Sequence, residues 1–305
     1  MIKVDLTPMQ CDRCRNDAIV QQPYAGTRLC REHFIQDFSA RAKREIRRGH
    51  LIQPGDRIAV GLSGGKDSSA LLHFLSNLLC NRRDISLVAI TIDEGITPYR
   101  DPACGEKIAR DLGIDWVCAR FREMYGTTID ALVQRRGDRL SCSWCGVLRR
   151  HCLNRTAKDM GATKLALGFN LDDEAQSVLM NVLRGDLDRL VRNPLPREGF
   201  IPRIKPFRTI PEREVALYAF LTIIGYESGR CPYAATALRS EVRDLLNAYT
   251  LGHPSTKHAL MNLGERLAGM GTGTDEAIRT CARCGEPSGD TCRSCQIIDE
   301  VSDRA

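Results

Sequence analysis

The sequence predicts an α/β domain built on a parallel sheet with flanking helices. Three observations carry that prediction. Apolar runs alternate with helix-like runs through the middle of the 305-residue chain, a glycine-rich turn joins the first strand to the first helix, and cysteine pairs bracket the whole. The strand candidates are RIAVGL (57 to 62), SLVAITID (86 to 93), DWVCARF (115 to 121) and KLALGFN (164 to 170). All are apolar or β-branched enough for burial on both faces, as parallel strands require. Between them fall the helix candidates KDSSALLHFLSNLL (66 to 79), PACGEKIARDLG (102 to 113) and DDEAQSVLMNVLRG (172 to 185). This alternation places ligands at the carboxyl ends of the strands. NPLPREGFIPRIKPFRTIP (193 to 211) reads as an extended connection, PEREVALYAFLTIIG (211 to 225) as a further helix, and GMGTGT (269 to 274) as a linker. The expected domains are an N-terminal cysteine module over 1 to 36, the α/β domain over 37 to 268 and a C-terminal cysteine module over 275 to 305.

Forty-four Lys and Arg against thirty-eight Asp and Glu give a formal charge of +6, concentrated in RAKREIRRGH (41 to 50), RRGDR (135 to 139) and RRHCLNR (149 to 155). Any one such run is usually a solvated helix face. Several of them, in a chain that also carries zinc-type modules, point to a polyanionic partner, with nucleic acid first. No apolar stretch of about 20 residues is present, and the N-terminus lacks a signal-peptide layout. A cytoplasmic protein that does not meet a membrane is expected. The 14 cysteines come largely as CxxC pairs in a long chain, which favours metal over a disulfide framework.

The strongest spacing signals lie at the ends. Cys11-x2-Cys14-x15-Cys30-x2-His33 and Cys281-x2-Cys284-x7-Cys292-x2-Cys295 each supply four ligands in two short-range pairs, enough to close a tetrahedron around Zn²⁺. Two structural zinc ions are expected. Within the domain, SCSWC (141 to 145) sets Cys142 and Cys145 at CxxC spacing before an expected helix, VLRRHCLNRTAKDM, and Cys231 lies in a Gly/Pro-flanked loop that can reach the same strand ends. A lone CxxC serves as half a zinc site, a redox disulfide or part of an iron–sulfur cluster. Three thiolates suit a four-iron cluster with one iron lacking a protein ligand; a persulfide or disulfide cycle is the competing chemistry. Cys80, Cys104, Cys118 and Cys152 fall within or beside apolar elements and are expected to be buried structural thiols.

GLSGGKDS (61 to 68) is not a Walker P-loop, which needs four residues between its first Gly and its Gly-Lys-[Ser/Thr], whereas here Asp67 follows Lys66. Gly64 and Gly65 allow a tight turn and close approach to an anion, Ser63, Ser68 and the free amides of the next helix supply donors, and Lys66 supplies charge. The string resembles the pyrophosphate loop of the PP-loop ATP pyrophosphatases. TIDEG (91 to 95) resembles the segment that carries adenine-site contacts there, and LGFNLDDEAQSVLMNVLRG (167 to 185) the segment that closes the nucleotide site. Asp172 and Asp173 also complement the dipole of the helix they open. Asp67 and Asp173 are candidate Mg²⁺ partners as hard oxygen ligands.

Together these segments resemble the TtcA/TtuA group of PP-loop tRNA sulfurtransferases, most closely the TtuA-type 2-thiouridine synthetases, over nearly the whole chain. The resemblance implies the PP-loop, adenine nucleotide alpha hydrolase-like fold. It also implies an activity: ATP adenylates the C2 oxygen of a tRNA uridine, and sulfur from a [4Fe-4S] cluster replaces it as AMP leaves. By matching position, Gly61, Ser63, Gly64, Gly65, Lys66, Asp67, Ser68, Gly168 and Asp173 would bind ATP, with Asp93 in the adenine segment. Cys142, Cys145 and Cys231 would hold the cluster, and Arg149 stands where the family has a basic residue facing the nucleotide. Relatives act at the wobble uridine or in the T-loop; two zinc modules speak against the cytidine branch. The sulfur donor stays open among a ubiquitin-like thiocarboxylate protein, a persulfide and free sulfide, and a homodimer is expected because members commonly form one. Two other readings stay open: a different PP-loop tRNA-modifying ligase, and a zinc-dependent RNA-binding protein without thiolation activity.

Overall fold

The computed structural model describes the chain apart from residues 1–8, 138–140, 192–198, 224, 228, 230, 234–237, 271–278, 289 and 303–305 and the side chains of 301 and 302. The chain opens with an antiparallel hairpin, β1 (Val20–Gln22) and β2 (Thr27–Leu29), that leads into α1 (Arg31–Arg48). Next come β3 (Arg57–Gly61), α2 (Lys66–Leu79), β4 (Ser86–Asp93), α3 (Pro102–Asp111) and β5 (Asp115–Arg120). Three helices follow, α4 (Phe121–Tyr125), α5 (Ile129–Arg136) and α6 (Ser141–Asp159), before β6 (Lys164–Ala166). The rest comprises α7 (Leu171–Leu183), α8 (Leu187–Val191), β7 (Arg203–Ile204), α9 (Glu212–Thr222), α10 (Leu238–Gly252), α11 (Thr256–Met270) and α12 (Arg293–Ser302).

The main sheet is parallel, in the order β5-β4-β3-β6-β7. Chain order runs outward from β3 in one direction through β4 and β5, then restarts on its other side with β6. That reversal makes a crevice at the carboxyl ends of β3 and β6, where doubly wound sheets bind ligands. Successive strand residues face opposite sides. Ile58, Val60 and Ala89 pack among α1, α2 and α9, whereas Ala59, Val88 and Ile90 meet Leu153 and Ala157 of α6. On the first side the core is aromatic. Phe38 stacks on Tyr218 at 4.1 Å and meets the edge of Phe207 at 5.0 Å, contacts that each add about 0.5–1.5 kcal/mol beyond simple burial.

The parallel sheet and its helices match the expected fold class, with local differences. β5 is an edge strand and only half-buried, because among the described residues nothing pairs with its outer side. The strand expected over 164 to 170 stops at Ala166, where Leu167 and Gly168 leave the ladder to cross the glycine loop. The connection expected over 193 to 211 contributes Arg203 and Ile204 to the sheet as β7, while its residues 193 to 198 lie outside the described residues. Of the linker at 269 to 274, the first two residues belong to α11 and the others lie outside the described residues. Residue 36, the expected end of the first module, lies inside α1, which runs unbroken into the core. Of the four cysteines expected to be buried, Cys152 is; Cys80 is exposed at the end of α2, and Cys104 and Cys118 are half-buried.

Candidate active site

β3 ends at Gly61, and the four residues from Leu62 to Gly65 turn the chain into α2. Gly64 has φ +74°, a left-handed conformation that a side chain would strain. The serines brace the turn: Ser68 Oγ accepts the Ser63 amide at 3.1 Å and lies 3.1 Å from Ser63 Oγ. α2 has no side-chain cap. Gly65 bridges to Glu227, and among the described residues the amides of Asp67 and Ser68 have no protein acceptor, Ser69 bonding next, to Gly65 O at 3.1 Å. Free amides at a helix N-terminus form an anion site.

Gly168 closes this site from β6. A Cβ there would lie 2.9 Å from the Asp67 carbonyl, so only glycine lets the two backbones pass. Asn170 then caps α7, accepting from the Asp173 amide at 3.2 Å and reaching Asp67 with its Nδ2 at 3.4 Å. The structure therefore brings Asp67 and Asp173 to one crevice. Burial raises both carboxyls, Asp173 to about 6, with the Asn170 amide and Arg239 working against the shift there. Lys66 Nζ is held by Asp67 and Glu212, each at 2.7 Å. Burial disfavours its charge, but the two carboxylates outweigh that and raise its pKa. A cavity of about 450 Å³ opens on Lys66, lined also by Tyr24, Asp172, Glu212, Lys257 and His258.

The central cysteines lie at the neighbouring strand ends. Asp93 closes β4 and accepts the Gly95 amide at 2.8 Å; the next residue, Glu94, is buried and pairs with Arg149 at 2.5 Å. Arg149 also donates to Cys145 Sγ at 3.1 Å. It faces the cysteines, bridging them to the end of β4. The CxxC lies within the first turn of α6, not ahead of it, and its i, i+3 spacing puts Cys142 and Cys145 on one side of the helix. Cys142 is exposed and donates to Tyr233 O at 3.3 Å; Cys145 is buried and Cys231 half-buried beside it in one apolar cluster. Burial pushes the Cys145 thiol up to about 11, with Arg149 opposing and Glu94 and Cys231 adding. Burial raises Cys231 too, with the Tyr233 backbone opposing and Cys142 adding. Cys231 thus senses both members of the CxxC.

The terminal sets are geometrically different. A tetrahedron with metal–sulfur bonds of about 2.3 Å has sulfur–sulfur edges of about 3.8 Å. Cys281 and Cys295 lie 3.8 Å apart, Cys284 and Cys292 3.6 Å, Cys14 and Cys30 3.7 Å, and His33 Nδ1 is 3.4 Å from both Cys11 and Cys30. Each set can hold one metal ion. Among the described residues, no other group brings its ligand atoms so close. The central three are spaced too widely for a single ion.

Both modules dock on helices of the site. Glu214 of α9, 0% exposed, accepts from Gln22 at 3.1 Å, from Tyr24 at 2.6 Å and from Arg41. Glu286 of the C-terminal module accepts from Asn154 of α6 at 2.8 Å and from Lys158 at 3.0 Å, while Ile297 packs beside Trp144, Cys145 and Cys152. Glu94, Glu212 and Lys257 went unread in the sequence. Glu94 lies inside TIDEG, where only Asp93 was singled out, and Glu212 and Lys257 stand outside any motif; only its partner reveals each, and Lys257 reaches across from α11 to Asp172.

Comparison with known proteins agrees with this geometry. Residues 10–35 match the N-terminal LIM domain of the 2-thiouridine synthetase TtuA, and residues 34–244 match the PP-loop domain. The chain is 38% identical to the tRNA 2-thiolation protein NcsA of Haloferax volcanii, covering 96% of this chain and 99% of that protein. It is 36% identical to the cytoplasmic tRNA 2-thiolation protein 1 of Chlamydomonas reinhardtii, covering 97% and 86%. A solved structure, the U34-tRNA thiolase NcsA from Methanococcus maripaludis with its [4Fe-4S] cluster, superposes with a TM-score of 0.85 at 32% identity over 97% of each chain. The free helix-end amides, the glycine crossing and the cysteines on the neighbouring strand end are thus set in a chain that belongs to the PP-loop tRNA 2-thiolation family, with a TtuA-type LIM module at its start.

Proposed function

We propose that this chain is an ATP-dependent tRNA uridine 2-sulfurtransferase that acts on the wobble uridine. The observation that carries the reading is the meeting of two chemistries at one edge of the sheet. The phosphate loop follows β3, and the Glu94–Arg149–Cys145 chain begins at the end of the adjacent β4. An activated carbonyl and a sulfur source must meet within one site, and this arrangement supplies both.

The amides of Asp67 and Ser68 take the β- and γ-phosphates of ATP, Lys66 exchanges its carboxylate partners for phosphate, and Asp67 and Asp173 hold Mg²⁺. The uridine O2 attacks the α-phosphorus, the bond to the β-phosphate oxygen breaks, and pyrophosphate leaves. Sulfur then attacks C2, the C2–O bond breaks and AMP departs, because adenylation has made that oxygen a good leaving group. The three central thiols fit a cluster, since their neighbourhood without single-ion spacing is what ligands of separate irons require. Cys142, Cys145 and Cys231 would hold a [4Fe-4S] cluster, which would supply the sulfur chemistry for the transfer. Arg149 balances the charge of Cys145. Zn²⁺ fills the two terminal sites. Among the described residues no helix is long and apolar enough to cross a membrane, and we assign the enzyme to the cytoplasm as a homodimer. The donor is a thiocarboxylate protein, a persulfide or sulfide.

The test is an anaerobic thiolation assay with tRNA, ATP and sulfide, run beside iron, zinc and acid-labile sulfide analysis. About four iron per chain, with Cys142→Ala losing both iron and thiolation while still binding ATP, is the expected result. A zinc-only protein that thiolates after anaerobic reconstitution rejects the cluster, and one that consumes no ATP with tRNA rejects the enzyme.

A further inference from the structure

Among the described residues, three cations of the chain's basic runs have carboxylate partners. In the run from 41 to 50, Arg41 pairs with Asp37 and Glu214, and Arg48 with Glu45 and Glu265. Arg149 pairs with Glu94. Arg150, the next residue on α6, and Arg203, the first of β7, are different. Both are exposed, and among the described residues neither has a carboxylate or any hydrogen-bonded partner.

The backbone places these two arginines together. The Ile201 amide donates to Asn154 Oδ1 of α6 at 3.0 Å, and Ile201 packs in the layer between the sheet and α6. Ile204 faces the opposite layer, so strand alternation turns Arg203 toward α6. Arg150 lies one helical turn before Asn154, on the same face. Because α6 runs against the strands, one turn back along it and two residues forward along the edge lead to the same place, near the carboxyl edge. Partial burial and the charges of Arg203, Arg149 and Arg189 hold the Arg150 pKa below its ordinary value. Like charges are therefore gathered: Arg149 and Arg189 are balanced by Glu94 and Asp186, whereas Arg150 and Arg203 have no carboxylate partner among the described residues.

We propose that Arg150 and Arg203, with Arg189 beside them, bind the phosphodiester backbone of the RNA substrate next to the nucleotide that enters the site. Two guanidinium forks without internal partners match phosphate oxygens. ATP offers the same chemistry, but its phosphate site is at the start of α2, which packs on the other face of the sheet from α6. Arg150 also lies on the same helix as Cys142 and Cys145, between one and two turns beyond Cys145. The inference rests on the sulfurtransferase reading above.

The experiment measures binding of a tRNA transcript to the metal-loaded protein by anisotropy over a salt series, with MgATP affinity measured in parallel. For R150Q/R203Q, the tRNA Kd should rise at least about tenfold at 0.1 M salt. The slope of log K against log salt should become shallower by about 1.4–1.8, two contacts at about 0.7–0.9 each. MgATP affinity and iron content should match the wild type, and R150K/R203K should keep most of the salt slope. An unchanged slope in R150Q/R203Q overturns the inference, as does MgATP affinity falling while the RNA slope stays. Wild type that binds no tRNA rejects the sulfurtransferase reading itself, whereas wild type that binds and thiolates it, with R150Q/R203Q binding equally well, rejects only this surface.

Discussion

The N-terminal and C-terminal metal modules have almost the same ligand geometry but are attached to different halves of the site. The first is continuous with the core: His33 lies in the opening turn of an 18-residue helix whose Phe34 and Phe38 are fully buried, and Gln22, Tyr24 and Arg41 close on Glu214 of α9. Two residues earlier on that helix, Glu212 holds Lys66 of the phosphate loop. The second module grips α6 through Glu286 and Ile297, and α6 carries Cys142, Cys145 and Arg149. Equivalent metal sites therefore support unequal tasks, one bracing the nucleotide half and the other the sulfur half.

Breaking the second module gives the largest expected effect. Structural zinc contributes about 10–16 kcal/mol of apparent binding energy in small modules, so Cys281→Ser should unfold this one. Iron retention after anaerobic reconstitution should fall severalfold while MgATP affinity stays within about twofold. Equal loss of both, read by metal analysis and calorimetric titration, would erase the distinction between the modules. Cys30→Ser is the reciprocal case: MgATP affinity should drop about tenfold and iron content should persist. Glu214→Gln tests the docking contact alone. It leaves Arg41 with Asp37 as its remaining carboxylate, so the loss should fall below the about 3–5 kcal/mol of a buried pair broken outright, readable as a lower urea midpoint. The smallest effect belongs to Glu286→Gln. Lys158 is about one-third exposed and water screens it, so a loss of about 1 kcal/mol is expected, seen as faster amide exchange confined to α6. Exchange spreading to α9 would contradict the assignment.

Local chemistry explains what could be read beforehand. Glycine spacing, CxxC pairs and apolar periodicity act over a few residues, so the loop, both terminal sites and the β3, α2, β4 and α3 series were legible. α10 and α11 were missed because each buries little, their contact with α7 resting on Val242, Leu246 and Leu260 against Ala175. Cys104 was read as a packing thiol, yet it lies against the phosphate loop, 3.8 Å from Gly64 O. Its position comes from α3 folding back over the strand ends, which periodicity does not encode.

By itself the sequence determined which residues can ligate metal, where a backbone can turn left-handed or pass closely, and which segments must share a buried sheet. Tertiary structure decided that Glu212 reaches Lys66 across 146 positions, that Arg149 turns to Cys145 and Glu94, and that Arg150 and Arg203 stand together with no counterion among the described residues. The physical reason is range. Ligand geometry and backbone conformation are set within a few bonds, whereas an ion pair or a cluster of like charge exists only once folding has brought distant segments together.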